Sequence, residues 1–507
     1  MALTPRHFQG MAGKPGGGLT LPVDARADKW STRVQLRQTS DGTEQSANYC
    51  SGCKSSTCSS GQGGHTGCPF GHNIRDTMSN VANKNTGAAL ALQLQKTIFE
   101  SAYSLLCPQQ GHCEGTCFNG RNGGDSVAIK SVQQAVAQWG LENGEIRKYV
   151  AAARVKKPNG KSIAIIGGGF AGLEAAYHLA LNGWKVEVYD ANAKPGGLGA
   201  YGIPPTKMNY DETMAPSIQI MKDVLGVEFH QNTIVGDTSI SLRGKKGAHY
   251  VSFDRLCMTH DEVLITTGTP EANDLDFGKL SAGVQPVNVT RGDHFLYWVS
   301  EAMHGEFNRD NIVETVRGLN VLVYGGGDTA MDVASMALRS GAESVTVMVR
   351  GQARADKKEQ IFVTEEGAHI LEHHEILKFE LGTTGIQFYQ NQGEAYEATS
   401  AVIRTPDGVK NFDFDACFYA TGYSPGPLQK SFSGIEWTEE GLITIDMSGR
   451  TSRPNVRAAG DITHGAWLAS RSGAHGRRIA LAIHNDHFPR VALDSNLTEP
   501  RRLKLEL

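Results

Sequence analysis

Seven of the nine cysteines in this 507-residue chain fall between positions 50 and 117 and are its most distinctive chemical feature. Their spacing is Cys-x2-Cys-x4-Cys-x9-Cys-Pro and then Cys-Pro-x4-Cys-x3-Cys. We expect metal ligation, because thiols this dense stay reduced in the cytosol. A structural zinc ion would use four and leave three as half a site. Iron–sulfur clusters are therefore favoured, with zinc as the alternative. The seven are Cys50, Cys53, Cys58, Cys68, Cys107, Cys113 and Cys117.

A glycine-rich loop follows an apolar run at residues 163–166 and has the pattern G-x-G-x-x-G. Gly167 permits a tight turn, Gly169 lets the backbone approach a pyrophosphate, and Gly172 allows close packing of helix on strand. Asp190 ends the next strand about 20 residues further on, where a carboxylate accepts hydrogen bonds from an adenosine ribose. The pattern predicts a dinucleotide site.

A second loop, at residues 325–330, repeats this pattern with alanine for the third glycine. Its second strand ends in Arg350 instead of an acid, and Arg354 follows. A cation there can pair with a 2′-phosphate, so this site is expected to prefer NADP to NAD. The alternative is that Arg350 is a solvated arginine at a strand end. The binding residues expected in this loop are Gly326, Gly327, Asp328 and Thr329.

One dinucleotide domain interrupted by another indicates a flavin that exchanges hydride with a nicotinamide. Asp461, in an Ala-Ala-Gly-Asp sequence after a late strand, is then a candidate for the ribityl hydroxyls, or else a turn or helix-cap aspartate. Cys257 and Cys417 stand alone, so the redox cysteine pair of a flavin disulfide reductase is missing.

The elements that position these motifs follow from hydrophobic periodicity. Apolar residues recur every four positions from Leu90 to Ala102, with Thr86 as the expected helix N-cap, and a second helix is expected over about 127–139. Strand, glycine loop, helix and strand follow one another at 163–189 and again at 321–349. Two such units predict an α/β fold with two doubly wound Rossmann-like nucleotide-binding domains, preceded by a mostly α-helical cysteine domain. The strand at 415–421 is expected to return to the first domain, which would make the second an insertion.

Charge and hydropathy exclude several classes of protein. Lys and Arg number 49 against 53 Asp and Glu, a net charge of -4, so a nucleic-acid binder of the basic-patch type is not expected. No segment has the length and apolar character of a membrane span or signal peptide, so we expect no membrane contact and a cytoplasmic location.

From about Cys50 onward, the chain resembles the small (beta) subunit of NADPH-dependent glutamate synthase and the related N-terminal half of dihydropyrimidine dehydrogenase. The resemblance is carried by the cysteine pattern with CPQQGHCEGTC, and by GGGFAG, GGGDTAMD, ATGYSP and AAGD. It implies two interleaved [4Fe-4S] clusters. One would take Cys50, Cys53, Cys58 and Cys117, and the other Cys68, Cys107, Cys113 and Gln133. Gln133 could instead be an ordinary exposed helix residue.

The resemblance also implies further flavin contacts and a division of the chain. We expect a flexible extension at 1–49, a helical domain with two clusters at 50–155, an FAD-binding domain at 160–290 and 412–507, and an NADP-binding domain at 291–411. No catalytic side chain is assigned. The further flavin-binding residues are Ala171, Gly197, Leu198, Lys207, Val235, Thr267, Gly268 and Leu468.

The implied function is an electron-transfer subunit that moves electrons between NADPH and a larger catalytic oxidoreductase through FAD and the clusters, in a hetero-oligomer. A zinc-stabilised NADP-binding scaffold without turnover, and the NADP-reducing subunit of a 2-oxoacid or aldehyde oxidoreductase, stay open. The chain departs from the family at three places. Nine residues at 59–67, which include His65, stand where the family usually has three, and this weakens the assignment of Cys68. Arg350-Gly351 in place of paired arginines weakens the NADP assignment, and together with His475-Gly476-Arg477 in place of Glu-Gly-Arg it favours a paralogue with another partner.

Overall fold

The structure is a computed structural model and describes residues 40–54, 56–59, 67–236, 249–305, 308–387 and 394–489. His65 and most of the 59–67 insert lie outside the described residues. Within the described part, no helix is both long and apolar enough to cross a membrane.

The cysteine-bearing region is helical. Ser40–Asn48, within the segment expected to be a flexible extension, is a helix, and its residues Thr43, Ser46 and Ala47 are buried. The helices are α1 Ser40–Asn48, α2 Ile74–Ala82, α3 Thr86–Leu94, α4 Glu100–Leu106, α5 Phe118–Arg121, α6 Ile129–Glu142 and α7 Glu145–Ala153.

The structure has two helices where the sequence predicted a single one in this region. The apolar repeat from Leu90 to Ala102 spans α3 and α4, which are separated by the turn at 95–99. The N-cap of α3 is Asn85 and not Thr86, since the Asn85 side chain accepts a hydrogen bond from the Ala88 amide at 3.4 Å. Asparagine is among the preferred N-cap residues because its oxygen satisfies an otherwise unpaired amide of the first turn.

The first α/β unit begins at strand β1 (Ser162–Ile166), directly before the first glycine loop, and its five-stranded parallel sheet has the order β17 (Val456–Ala458), β6 (Glu262–Ile265), β1, β2 (Lys185–Tyr189), β3 (Glu228–His230). Its early elements are β1 Ser162–Ile166, α8 Phe170–Leu181, β2 Lys185–Tyr189, α9 Leu198–Tyr201, α10 Tyr210–Thr213, α11 Ala215–Leu225, β3 Glu228–His230, β4 Thr233–Val235, β5 His249–Val251, α12 Phe253–Thr259, β6 Glu262–Ile265, β7 Glu271–Ala272 and α13 Phe277–Leu280.

The second α/β unit contains another five-stranded parallel sheet, of order β11-β10-β9-β15-β8, and an antiparallel sheet of β12, β13 and β14. Its elements are β8 Val289–Arg291, α14 Gly292–Met303, α15 Arg309–Glu314, β9 Asn320–Tyr324, α16 Asp328–Arg339, β10 Ser344–Val349, α17 Lys357–Glu365, β11 His369–Glu372, β12 Glu375–Gln387, β13 Glu394–Thr405, β14 Gly408–Asp413 and β15 Ala416–Tyr419.

The chain then returns to the first unit. It passes through β16 Tyr423–Ser424 and reaches β17 Val456–Ala458, α18 Asp461–His464 and α19 Ala469–His487. Because β17 pairs with β6, the second unit is inserted between these two strands. The two crossings of the chain between the units pair with each other, as β7 with β16.

The returning strand differs from the one expected. The strand at 415–421 corresponds to β15, which pairs with β8 and β9 in the second sheet and not with the first. Its four residues are all buried. Because β8 starts at Val289 and β15 ends at Tyr419, the second sheet extends beyond the 291–411 segment at both ends. The domain boundaries themselves stay predictions.

The helical region and the first α/β unit share one hydrophobic core. Phe99, the N-cap of α4, and Tyr103 of α4 belong to the same buried cluster as Tyr177 of α8 and Ile479 of α19. Close helix packing requires glycine, since a Cβ at Gly476 of α19 would lie 2.0 Å from the carbonyl oxygen of Ala171. The cysteine region is thus packed directly against the first glycine loop's helix.

Candidate functional site

A cavity of about 650 Å³, the main cavity, runs from the first glycine loop to the second α/β unit. It also reaches the segment that follows α4 and begins with Cys107, Pro108 and Gln109, the Cys107 loop. It brings together most of the residues predicted for flavin. Gly172 is not in its wall. Those that line it are Gly167, Gly169, Ala171, Asp190, Gly197, Leu198, Lys207, Val235, Thr267, Gly268, Asp461 and Leu468.

The first glycine loop leaves room for a ligand at one position. A Cβ at Gly172 would lie 2.0 Å from Gly167 O, and at Gly167, whose φ is +104°, it would lie 2.5 Å from Thr266 O. The protein's own packing therefore requires these two glycines. A Cβ at Gly169 would meet only Gly197 Cα, at 3.9 Å. Gly169 precedes α8, so the open space lies at a helix N-terminus, where backbone amides favour a phosphate.

Two carboxylates are fixed at the wall of the main cavity. Asp190 Oδ2 accepts from the Gly168 amide and Oδ1 from the Asn192 amide, each at 2.7 Å. Asp461 accepts a short hydrogen bond from Ser472 Oγ, and burial raises the pKa of Asp461 to about 6. Both can accept from the hydroxyls of a bound cofactor, and the residues present fit a flavin dinucleotide.

A second cavity, of about 540 Å³, lies beside the second glycine loop. Gly326, Gly327 and Thr329 line it together with Arg350 and Arg354. Arg350 is exposed, which agrees with the alternative interpretation of a solvated arginine at a strand end. It also lines this cavity, at the end of β10. Gly327, Thr329 and Arg354 also line the main cavity, so the two cavities adjoin, and Asp328 lines the main cavity alone.

Gly327 repeats the geometry of Gly169. A Cβ there would meet no atom within 4 Å, whereas a Cβ at Gly326 would lie 2.5 Å from Val349 Cγ1. Gly327 also precedes a helix, α16. The second loop therefore offers the same open space for a phosphate at a helix N-terminus.

The cysteines are grouped into two small cavities. The first cysteine set is Cys50, Cys53, Cys58 and Cys117. The second cysteine set is Cys68, Cys107 and Cys113, and Gln133 shares its cavity. This grouping is the one that the resemblance implies, although ligation by these residues stays a prediction. Cys257 and Cys417 are buried elsewhere.

Both sets lie in desolvated surroundings. Burial raises the pKa of Cys58 and Cys107 to about 11 and that of Cys68 to about 12. Burial also raises the pKa values of Cys50 and Cys113. Metal ligation needs thiolates, and a bound cation is what makes a buried thiolate favourable. The residues present therefore fit a metal centre in each cavity.

Gln133 lies on α6 and is only 5 % exposed. Its Nε2 has no hydrogen-bond partner among the described residues, and its backbone carbonyl accepts from Gln93 Nε2 at 3.0 Å. An unsatisfied buried amide is costly unless a ligand completes it. Its burial excludes the alternative of an ordinary exposed helix residue.

Sequence reasoning missed several residues at these sites. Ser470 of α19 donates to Cys107 Sγ at 3.5 Å, and Lys130 lines both the main cavity and the cavity of the second cysteine set. Asp332 and Glu359 also line the main cavity. No spacing signal marks these residues, because packing between distant segments brings them to the site.

Two family models match the chain. The one described as pyridine nucleotide-disulphide oxidoreductase matches residues 161–484. The one described as dihydropyrimidine dehydrogenase domain II, 4Fe-4S cluster, matches residues 26–145, which contain all seven clustered cysteines and Gln133.

Curated relatives match along most of the chain. The glutamate synthase [NADPH] small chain of Azospirillum brasilense is 27% identical over 89% of this chain and 90% of its own length. The protein of the same name from Escherichia coli is 28% identical, over 82% and 87%. The NADP(+)-dependent formate dehydrogenase subunit beta of Moorella thermoacetica is 28% identical over 85% of this chain and 60% of its own length.

Proposed function

The chain belongs to the pyridine nucleotide-disulphide oxidoreductase family and is an FAD and iron–sulfur oxidoreductase similar to glutamate synthase small chains, and we propose that it carries electrons between NADPH and a larger partner oxidoreductase. In this proposal the electrons pass through one FAD and two [4Fe-4S] clusters. Such cofactors supply the redox chemistry, and the chain supplies binding, orientation and electrostatics.

The observation that carries the proposal is the position of Cys107. This residue lines both the main cavity and the cavity of the second cysteine set. A cluster held by Cys107 would adjoin a flavin in the main cavity, with no intervening layer of protein. We therefore propose that the second cysteine set receives electrons at the flavin.

Several residues would hold the flavin in the main cavity. Asp190 would accept from the adenosine ribose, and the N-terminus of α8 would face the pyrophosphate at Gly169. Asp461 would accept from the ribityl hydroxyls, with Ser472 holding its carboxylate. The other residues predicted from the family resemblance also line this cavity.

The second cavity would hold the nicotinamide dinucleotide. Gly327 would face its pyrophosphate at the start of α16. Arg350 and Arg354 line this cavity, and we propose that they pair with a 2′-phosphate, which makes NADPH the preferred substrate. Because the two cavities adjoin, a nicotinamide ring can reach the main cavity past Thr329.

Electrons would leave through the first cysteine set. Three of the four cysteines of the first set are half-buried, whereas only Cys107 of the three in the second set is. Phe118, beside this set, is 58% exposed and also lines its cavity. Relatives named as small chains or as a subunit beta support a partner that is a larger catalytic subunit. Seven cysteines spaced this closely stay reduced only in a reducing compartment, and we therefore propose a cytoplasmic location.

Anaerobic mixing of the purified chain with NADPH tests this function. The visible absorbance of the oxidised flavin should be lost, and added partner or a one-electron dye should restore it. The proposal would be overturned by a coloured protein whose flavin stays oxidised after the addition of either NADPH or NADH. A colourless protein with bound zinc would establish the scaffold alternative instead.

A further inference from the structure

The first turn of α17 contacts three parts of the molecule, none of which adjoins it in the sequence. Its N-cap Asp356 accepts from the Lys358 amide at 2.9 Å. The Asp356 amide itself donates to Asp328 Oδ1 at 2.9 Å. Asp328 opens α16 directly after Gly327, so this bond ties the start of α17 to the second glycine loop.

The second contact joins the two α/β units. Lys207, from the first unit, has its Nζ 3.0 Å from Glu359 Oε2 and 2.7 Å from Asp332 Oδ1. Glu359 belongs to α17 and Asp332 to α16. Burial opposes a charge on Lys207, but the two carboxylates outweigh it and raise its pKa. Lys207 is therefore a cation held between two acids of the opposite unit.

The third contact reaches the cysteine region. The Gln109 amide satisfies both its neighbours when its oxygen accepts from Lys358 Nζ at 2.5 Å and its nitrogen donates to Cys107 O at 2.8 Å. Lys358 is the residue before Glu359 on α17. Adjacent residues of one helical turn thus engage the Cys107 loop and the first α/β unit.

These contacts lie at the wall of the main cavity, which Lys207, Asp332, Lys358 and Glu359 all line. The chain crosses between the two units only through the segments of β7 and β16, so covalent linkage alone leaves their orientation weakly determined. The Lys207 contact lies at the cavity wall itself, where it can set the position of the second glycine loop relative to a flavin.

We propose that the first turn of α17, together with Asp332 of α16, forms a latch that fixes the second α/β unit in the orientation for hydride transfer. In this latch Glu359 and Asp332 hold Lys207, and Lys358 holds Gln109. This inference rests on the proposed function. In this role the five are positioning residues, because they act through the placement of the nicotinamide. Displacements of about 1 Å from a reactive geometry can cost on the order of a hundredfold in rate.

The test variant is Glu359→Gln, which keeps the shape of the side chain and removes its charge. Glu365→Gln, at an exposed position of the same helix, is the matched control. Stopped-flow flavin reduction gives the limiting rate and the Kd for NADPH separately. We expect Glu359→Gln to lower the limiting rate about tenfold or more, with Kd and FAD content within about twofold of wild type. A limiting rate equal to that of Glu365→Gln would overturn the latch.

A double-variant cycle adds a readout that general destabilisation would not produce. If Lys207 and Glu359 act as one unit, Glu359→Gln should cost little once Lys207→Met is present. Additive losses would contradict the latch. If either variant loses its flavin, Lys358→Met replaces it as the test of the latch, with Lys357→Met as the control. Flavin reduction that is slower in Lys358→Met than in Lys357→Met supports the latch, and equal rates refute it. Wild type whose flavin is not reduced by NADPH or NADH would refute the proposed function itself.

Discussion

Ser470 donates a hydrogen bond to the sulfur of Cys107 over 3.5 Å. Ser470 lies in the first turn of α19, directly after Leu468 and Ala469, which line the main cavity. Cys107 belongs to the second cysteine set. This one bond connects the flavin side of the molecule to a cysteine that we propose as a cluster ligand.

Removal of this hydrogen bond should alter one cluster potential. Hydrogen bonds to ligand sulfur stabilise the reduced, more negative cluster. We expect Ser470→Ala to make the midpoint potential of the second cluster more negative. The potential of the first cluster is the internal control, since Ser470 does not line that cavity. A redox titration followed by electron paramagnetic resonance measures both, and two unchanged potentials would show that the bond has no electronic role.

The proposed ligand Gln133 gives a second prediction. Gln133→Ala should open one coordination position of the second cluster, make it labile to three-iron forms and leave the first cluster intact. NADPH-dependent reduction of a flavin-reactive dye should survive, while transfer to the partner slows. The matched control is Gln134→Ala, an equally buried neighbour outside the cysteine cavity.

Electron paramagnetic resonance spectra decide between the ligand and its alternatives. Spectra of Gln133→Ala that match wild type for both clusters would refute Gln133 as a ligand. His65, which lies outside the described residues, would then be the next residue to substitute.

Cofactor preference should depend on Arg350. We expect wild type to favour NADPH over NADH, and Arg350→Glu to reduce that preference by about 1 to 3 kcal/mol, the range for a charge-assisted contact. The measurement is kcat/KM for both cofactors, with Arg350→Lys as the charge-preserving control. Equal use of NADPH and NADH by wild type would contradict the assignment of the second cavity to a 2′-phosphate.

Stability should fall as pH rises because of Glu174, on α8. This residue is fully buried, Thr97 donates a short hydrogen bond to its Oε1, and burial raises the pKa of Glu174 to about 8. The folded state then binds the proton more tightly than the unfolded state, so stability is lost between about pH 4.5 and 8.

Glu174→Gln imitates the protonated side chain and should remove this loss. We expect its Tm to exceed that of wild type by about 2 °C or more at pH 8 and to match it near pH 5. Glu145→Gln, which removes a surface ion pair with Lys148, is the control and should shift Tm little at either pH. A Glu174→Gln variant less stable than wild type at pH 8 would show that the ionised carboxylate is needed.

Local patterns in the sequence predicted the nucleotide loops well. Gly169 and Gly327 each follow a strand and begin a helix, and this order of elements is readable within about 30 residues. Asp190 was found in the same way, since it ends the strand that pairs beside the loop. The strand at 415–421 was found but assigned to the wrong sheet, because hydropathy does not specify a partner strand.

The contacts between the three parts of the molecule could not be predicted. Ser470 and Cys107 are 363 positions apart, and no periodicity relates them. The same holds for Lys207 and Glu359, whose pairing depends on how the second α/β unit sits on the first. The division of seven cysteines into two sets came from the family resemblance, since spacing alone permits several divisions.

Determination of iron, sulfide, zinc and flavin per chain in anaerobically purified protein tests the central claim most directly. Two [4Fe-4S] clusters and one flavin predict about eight iron, about eight sulfide, about one FAD and no stoichiometric zinc. Zinc near one or two per chain with little iron would contradict the account, because the cysteine sets would then be structural and no electron path would lead away from the main cavity.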